Sequence, residues 1–136
     1  MALPNVIDQY VSTFGAMTGI VKCFDDPPEQ IAQFPAAIVY VSSGTLNVAG
    51  GWAENHHIII LDIHHSRVIL PRAVDEAKVW PERVQYALNT GGTFGGYVAA
   101  INWPVTYEAL ALAYAGETHY GMRFRIDTKT QGAIAP

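Results

Sequence analysis

The stretch His57-Ile58-Ile59-Ile60-Leu61-Asp62-Ile63-His64 constrains this chain more than any other. Successive residues of a strand point to opposite faces, and here both alternating sets carry aliphatic side chains. Asn55 to His65 is therefore expected to be a central strand, covered on both sides of its sheet. Such a strand needs neighbours and helices, and the remaining sequence supplies candidates for both.

Val6, Ile7, Tyr10, Val11, Phe14 and Met17 recur at three- and four-residue steps, which predicts an amphipathic helix with Pro4 in its first turn and Gly19 as a stop. Cys23 to Glu29, with its paired prolines, reads as a loop. Ala37-Ile38-Val39-Tyr40-Val41 reads as a strand closed by Ser42-Ser43-Gly44. Gly44 to Glu54 is either a long loop or a floppy hairpin, taken as a flexible loop at about 43–54. Pro71 to Asn89 is helical, with Pro81 forcing a kink or opening a second helix, and Gly91-Gly92 ending it. Phe94 to Trp103 is a candidate strand ending at Pro104. Thr106–Tyr114 and Thr118–Thr128 flank Ala115-Gly116-Glu117 as a hairpin. In its second arm Met122, Phe124 and Ile126 form the buried face, and Arg123, Arg125 and Asp127 the wet or interface face. The order helix, strands, helix, strands predicts a single α+β domain over residues 1–136, its sheet mostly antiparallel and packed against an N-terminal and a kinked central helix.

Composition narrows the function. Of 136 residues, 50% are hydrophobic and 15% charged, which excludes a solvated disordered chain. Eight Lys and Arg against twelve Asp and Glu give a net charge of −4 without a basic cluster, so strong sequence-independent binding to nucleic acid is excluded. The single Cys23 excludes an internal disulfide framework and a multi-cysteine metal site. The start Met1-Ala2-Leu3-Pro4-Asn5 lacks the pattern of a secretory signal, and the apolar run Ala109 to Ala115 is too short to span a bilayer. These features lead to the expectation of a soluble intracellular protein or a soluble part of an assembly.

Four of the five histidines cluster in His56-His57 and His64-His65, with Asp62 between. Alternation places His56, Asp62 and His64 on one face and His57 and His65 on the other. Asp62 and His64 are close enough to share an ion or a hydrogen bond, but a zinc site needs two more ligands from elsewhere. The expected role is strand ends emerging into solvent, with a pH-sensitive subunit contact ranked above a metal site. Asp25, Asp26 and Glu29 lie in a proline-rich segment without an apolar wall and read as a solvated turn. Cys23 reads as an idle thiol, and Gly91-Gly92-Thr93-Phe94-Gly95-Gly96 as a flexible turn, since it follows a helix instead of opening one. Arg123, Arg125 and Lys129 are expected to pair with acidic residues of a neighbouring strand or subunit. Trp52, on the glycine-containing segment, is a candidate interface anchor, whereas Trp80 and Trp103 are expected in the core or half-buried. No catalytic constellation emerges.

Taken in order, the N-terminal helix, Phe34-Pro35-Ala36-Ala37-Ile38-Val39-Tyr40-Val41, the isoleucine-rich strand, Leu70-Pro71-Arg72-Ala73 with its helix, Tyr107-Glu108-Ala109-Leu110 and Tyr120-Gly121-Met122-Arg123-Phe124-Arg125-Ile126 form a pattern over roughly residues 4 to 129. This pattern resembles the tail terminator (tail completion) proteins of long-tailed bacteriophages and phage-like gene-transfer particles. The resemblance implies a non-enzymatic virion protein without cofactor or metal, located at the head–tail interface after assembly in the host cytoplasm. It implies a homo-oligomeric ring, typically a hexamer, that caps the tail tube, stops its elongation and offers a docking surface to a head connector or head-closure protein. DNA only passes through the lumen, whose negative wall need not grip it, and no membrane is involved. On this reading Trp52, Arg123, Arg125 and His64 belong to subunit or tube interfaces. The alternatives are another head–tail neck component, a metal-dependent hydrolase using Asp62 and His64, and a small-ligand-binding domain.

Overall fold

The computed structural model describes residues 3–25, 28, 30–65, 70–114 and 116–134. The four-residue step of Val6, Tyr10 and Phe14 winds α1, Leu3–Gly15, and all three side chains are fully buried. The helix ends at Gly15, and Gly19 sits in the following turn with a positive φ. Contrary to the loop reading, Lys22–Phe24 is a short strand, β1, running parallel to the start of β2, Ala36–Thr45. Asp26 and Glu29 lie outside the described residues.

Gly44 to Glu54 is a strand-paired hairpin and not a loop. β2 continues to Thr45, β3 spans Val48–Ala49, and β4, Trp52–His65, starts immediately after the turn at Gly50-Gly51. Pro81 opens a second helix, so the central helical segment is split into α2, Leu70–Ala77, and α3, Trp80–Gly91. The Phe94 segment is not a strand. Phe94 stands at φ 49° in a run of turns, 3% exposed, with its ring edge-on to Tyr10 at 4.9 Å. The Gly91–Gly96 segment is thus a plug into the core, and the expected flexible turn is corrected accordingly.

The chain closes with β5, Ala100–Tyr114, and β6, Glu117–Ala133, a long antiparallel hairpin. β5 runs through Pro104 instead of stopping there. The register shifts between Asn102 and Thr106, and the strand lies at the sheet edge, where a missing N–H breaks no ladder bond. The sheet order is β1-β2-β4-β6-β5, with β3 beside β4, and only β1–β2 is parallel. The fold is α+β.

β4 is central, as its isoleucines require, flanked by β2 and β6 along its length. Among the described residues, the helices pack on one of its faces. Ile59, Leu61 and Ile63 pack with Ala37, Val39, Met122, Phe124 and Ile126 against Val6, Tyr10, Phe14, Trp80, Val84 and Leu88. On the opposite face a small cluster of Ile31, Ala36 and Ile38, with Phe24, Phe34, Tyr40 and Tyr114 beside it, covers one end of the sheet. The expected cover is present on this second face too, without a helix among the described residues: Ile60 is 2% exposed, in register with Tyr40 and Arg125 on the flanking strands. Long polar side chains shield it there.

Candidate functional site

The helix-free face holds the polar residues singled out from the sequence. The antiparallel register sets Asp62 opposite Arg123 and Ile38, and Arg123 opposite Glu108. Arg123 donates to Asp62 through Nε at 2.8 Å and Nη2 at 3.0 Å, and the Tyr40 hydroxyl donates to Asp62 Oδ2 at 2.9 Å. Asp62 is 5% exposed, so this two-pronged pair sits where water screens it poorly. The Asp62 hydrogen bonds hold the Arg123 guanidinium above its ordinary pKa, and burial together with the neighbouring Asp62 carboxylate raises that of Tyr40. Arg125, on the same face, is exposed. Further along, Lys129 pairs with Glu54, and His56 lies 3.4 Å from Asp127 and 2.9 Å from the Asn102 amide. The basic residues are thus partnered from neighbouring strands at Arg123 and Lys129, as their alternation suggested.

Asp62 is held by Arg123 and Tyr40, and its neighbour His64 does not join that set. His64 turns instead to His119, Nδ1 to Nδ1 at 3.1 Å, and His119 Nε2 lies 3.2 Å from Glu117 Oε2. A carboxylate only accepts, so His119 carries its proton on Nε2. With both rings neutral, His119 Nδ1 then accepts from His64 Nδ1–H, which leaves His64 Nε2 as a bare acceptor. Burial holds the His64 pKa down to about 4. His64 lines a cavity of about 430 Å³ with Ile38, Tyr40, Asp62, Arg123 and the Leu110–Tyr114 stretch. The Tyr114 hydroxyl, also at this cavity, has no hydrogen-bond partner among the described residues.

The expectation that the histidines emerge into solvent fails at three of the four positions. His57 is 9% exposed, His64 and His65 2% each. His65 Nε2 accepts from the Trp80 indole N–H at 2.7 Å, tying the start of α3 to the end of β4. Burial lowers the pKa of His57 and His65 as well. No group of three or more His, Cys, Asp and Glu gathers to hold a metal among the described residues. Cys23 stands on β1, and burial pushes its thiol up to about 12, against nucleophilic use.

Trp52 is 49% exposed, but it is held in the sheet, in register with Ala49 on one side and Ala133 on the other. Around it the far end of the sheet forms an arm. β2 is exposed at every residue from Val41 outward, and Leu46, Val48 and Ile134 are 75%, 69% and 52% exposed. Trp80 lies in the core as expected. Trp103 is half-buried, 48% exposed beside the irregularity in β5, near exposed Tyr86 and Tyr107, at the groove between α3 and β5.

Sequence reasoning missed Tyr40, Tyr114, His119 and Glu117, and the exposed Leu46, Val48 and Ile134 around Trp52. The hairpin turn near Gly116 contained the signal for some of them, because counting back from it sets Arg123 opposite Glu108 and His119 opposite Leu112. No family model matches the sequence, and no curated protein matches it.

Proposed function

We propose that this chain is a virion assembly subunit of the tail-terminator kind, which caps a phage tail tube as a ring and presents a docking surface to a head connector. The observation that carries the reading is the arm: Leu46, Val48, Trp52 and Ile134 expose large apolar side chains on a rigid, strand-paired extension. Clustered exposed apolar groups on a fixed scaffold favour docking to another surface over solvation. The conspicuous polar residues support the same reading. Both carboxylate oxygens of Asp62 accept hydrogen bonds from Arg123 and Tyr40, so its contacts are already used within the subunit. His64 and the arm contribute shape, and bond-making is left to other proteins. The test is electron microscopy of the purified protein with and without tail tubes. A ring at one end of each tube, lost in a Leu46→Ser/Trp52→Ala variant that still folds, is expected; tubes that stay bare at both ends refute the reading.

A further inference from the structure

The two edges of the sheet are finished very differently from those of an ordinary monomer. β5 forms one edge over all 15 of its residues. Its proline and register shift fall between Asn102 and Thr106, so Thr106 to Tyr114 runs in unbroken register with β6 and offers a continuous outer row of N–H and C=O groups. That row carries one charged side chain, Glu108, and no Lys, Arg or Pro. Proteins that stay apart blunt such an edge with lysine, proline, a bulge or a cover; here none of these protects residues 106–114 among the described residues.

The opposite edge is half open. β1 pairs with only Ala36, Ala37 and Ile38 of β2, so the outer side of 39–45 is unpaired among the described residues. This open stretch is seven residues long (ten in β2 less the three beside β1) and carries no charge. Directions also match. Across the sheet β2, β4, β6 and β5 alternate, so a second copy set alongside in the same orientation brings its β2 antiparallel to the first copy's β5.

We infer that β5 of one copy adds to β2 of the next, residues 106–114 against 39–45, joining the sheets of successive subunits. The occupant of each edge is a second copy of this chain. A head-to-tail contact satisfies both open edges in every subunit, whereas a two-fold β5–β5 contact leaves 39–45 of β2 orphaned. Strand addition of this kind takes its affinity from backbone hydrogen bonds, which need no special side chains and explain the plain Ala-Leu-Ala-Leu-Ala composition of the edge. The inference deepens the ring reading and rests on it for closure; the strand pairing itself stands on the edges alone.

Cysteine cross-linking tests it. In a Cys23→Ala background, Val41→Cys is combined in turn with Ala109→Cys, Ala111→Cys and Ala113→Cys. All four positions are exposed, and thermal unfolding checks that each variant still folds. Oxidation is expected to give a ladder of covalent multimers for at least one pair. Mixing the two corresponding single variants gives a heterodimer, and neither single variant links to itself. A homodimer from an alanine-derived variant alone overturns the proposal in favour of two-fold pairing, and monomer under every combination overturns it outright. Rings on tube ends without any ladder refute the strand pairing and leave the tail reading standing. A ladder with bare tubes does the reverse.

Discussion

Replacing Arg123 by Leu removes both guanidinium hydrogen bonds from Asp62, at 2.8 and 3.0 Å, and leaves that carboxylate with the Tyr40 hydroxyl alone. The side chain of Asp62 is 7% exposed and that of Arg123 27%, so the anion stays buried after its partner is gone. Breaking a buried pair from one side costs roughly 3–5 kcal/mol, and the partial exposure of Arg123 places this case at the lower end, about 3 kcal/mol. In a chain of this size that is a fall of about 10 °C in melting temperature. Asp62→Leu is expected to cost less, about 1–2 kcal/mol, because the partly exposed guanidinium can rehydrate. The double variant Asp62→Leu/Arg123→Leu removes the stranded charge and is expected to return to about 1 kcal/mol, the loss of an acceptor for Tyr40. Urea unfolding followed by tryptophan fluorescence, at one fixed protein concentration, reads all three. An Arg123→Leu cost below about 1 kcal/mol, or a double variant equal to the sum of the singles, would show that solvent screens the pair and that the second face is wetter than its burial indicates.

Other consequences follow from single contacts. His64 is held at about 4 in the folded chain against an ordinary 6.5, so only the unfolded state takes up its proton between those values. Stability is complete above pH 6.5 and is lost as pH falls toward 4, by about 3 kcal/mol at most; melting curves across this window should flatten in His64→Gln, and a wild-type profile that is already flat would remove the argument. Gly121→Ala brings a Cβ to 2.2 Å from Leu112 Cδ1 and 2.7 Å from the Ile63 carbonyl, so a loss of about 1–3 kcal/mol is expected in chemical unfolding. Phe94→Ala empties the space beside Tyr10 and should cost about 3–5 kcal/mol, whereas a mobile turn would register almost nothing. Trp52→Ala is expected to leave the melting temperature within a few degrees, because the side chain is half-exposed, while weakening any docking through the arm.

Local pattern was enough for the elements whose side chains repeat. The 3.6-residue step of α1, the two-faced aliphatic run of β4, the alternation of β6 and the helix-opening proline of α3 are each short-range signals, and each appears where its period places it. The same periodicity sorted the histidines by face correctly. It could not say whether a face is wet, because exposure at His57, His64 and His65 depends on what α3, His119 and the neighbouring strands bring across from distant parts of the chain.

What the amino-acid order determined on its own is the N-terminal helix, the helix opened by Pro81, the long strands β2, β4 and β6, and the side of those strands on which a residue lies, since these follow from backbone geometry within a few residues. Strand order and register decided the rest. They joined Asp62 to Arg123 across 61 positions, sent Phe94 into the core against Tyr10, put Pro104 harmlessly on an edge, and left the outer sides of β5 and of residues 39–45 of β2 unpaired among the described residues. Pairings between distant segments are selected by the total burial of the whole sheet, and no short stretch of sequence carries that sum.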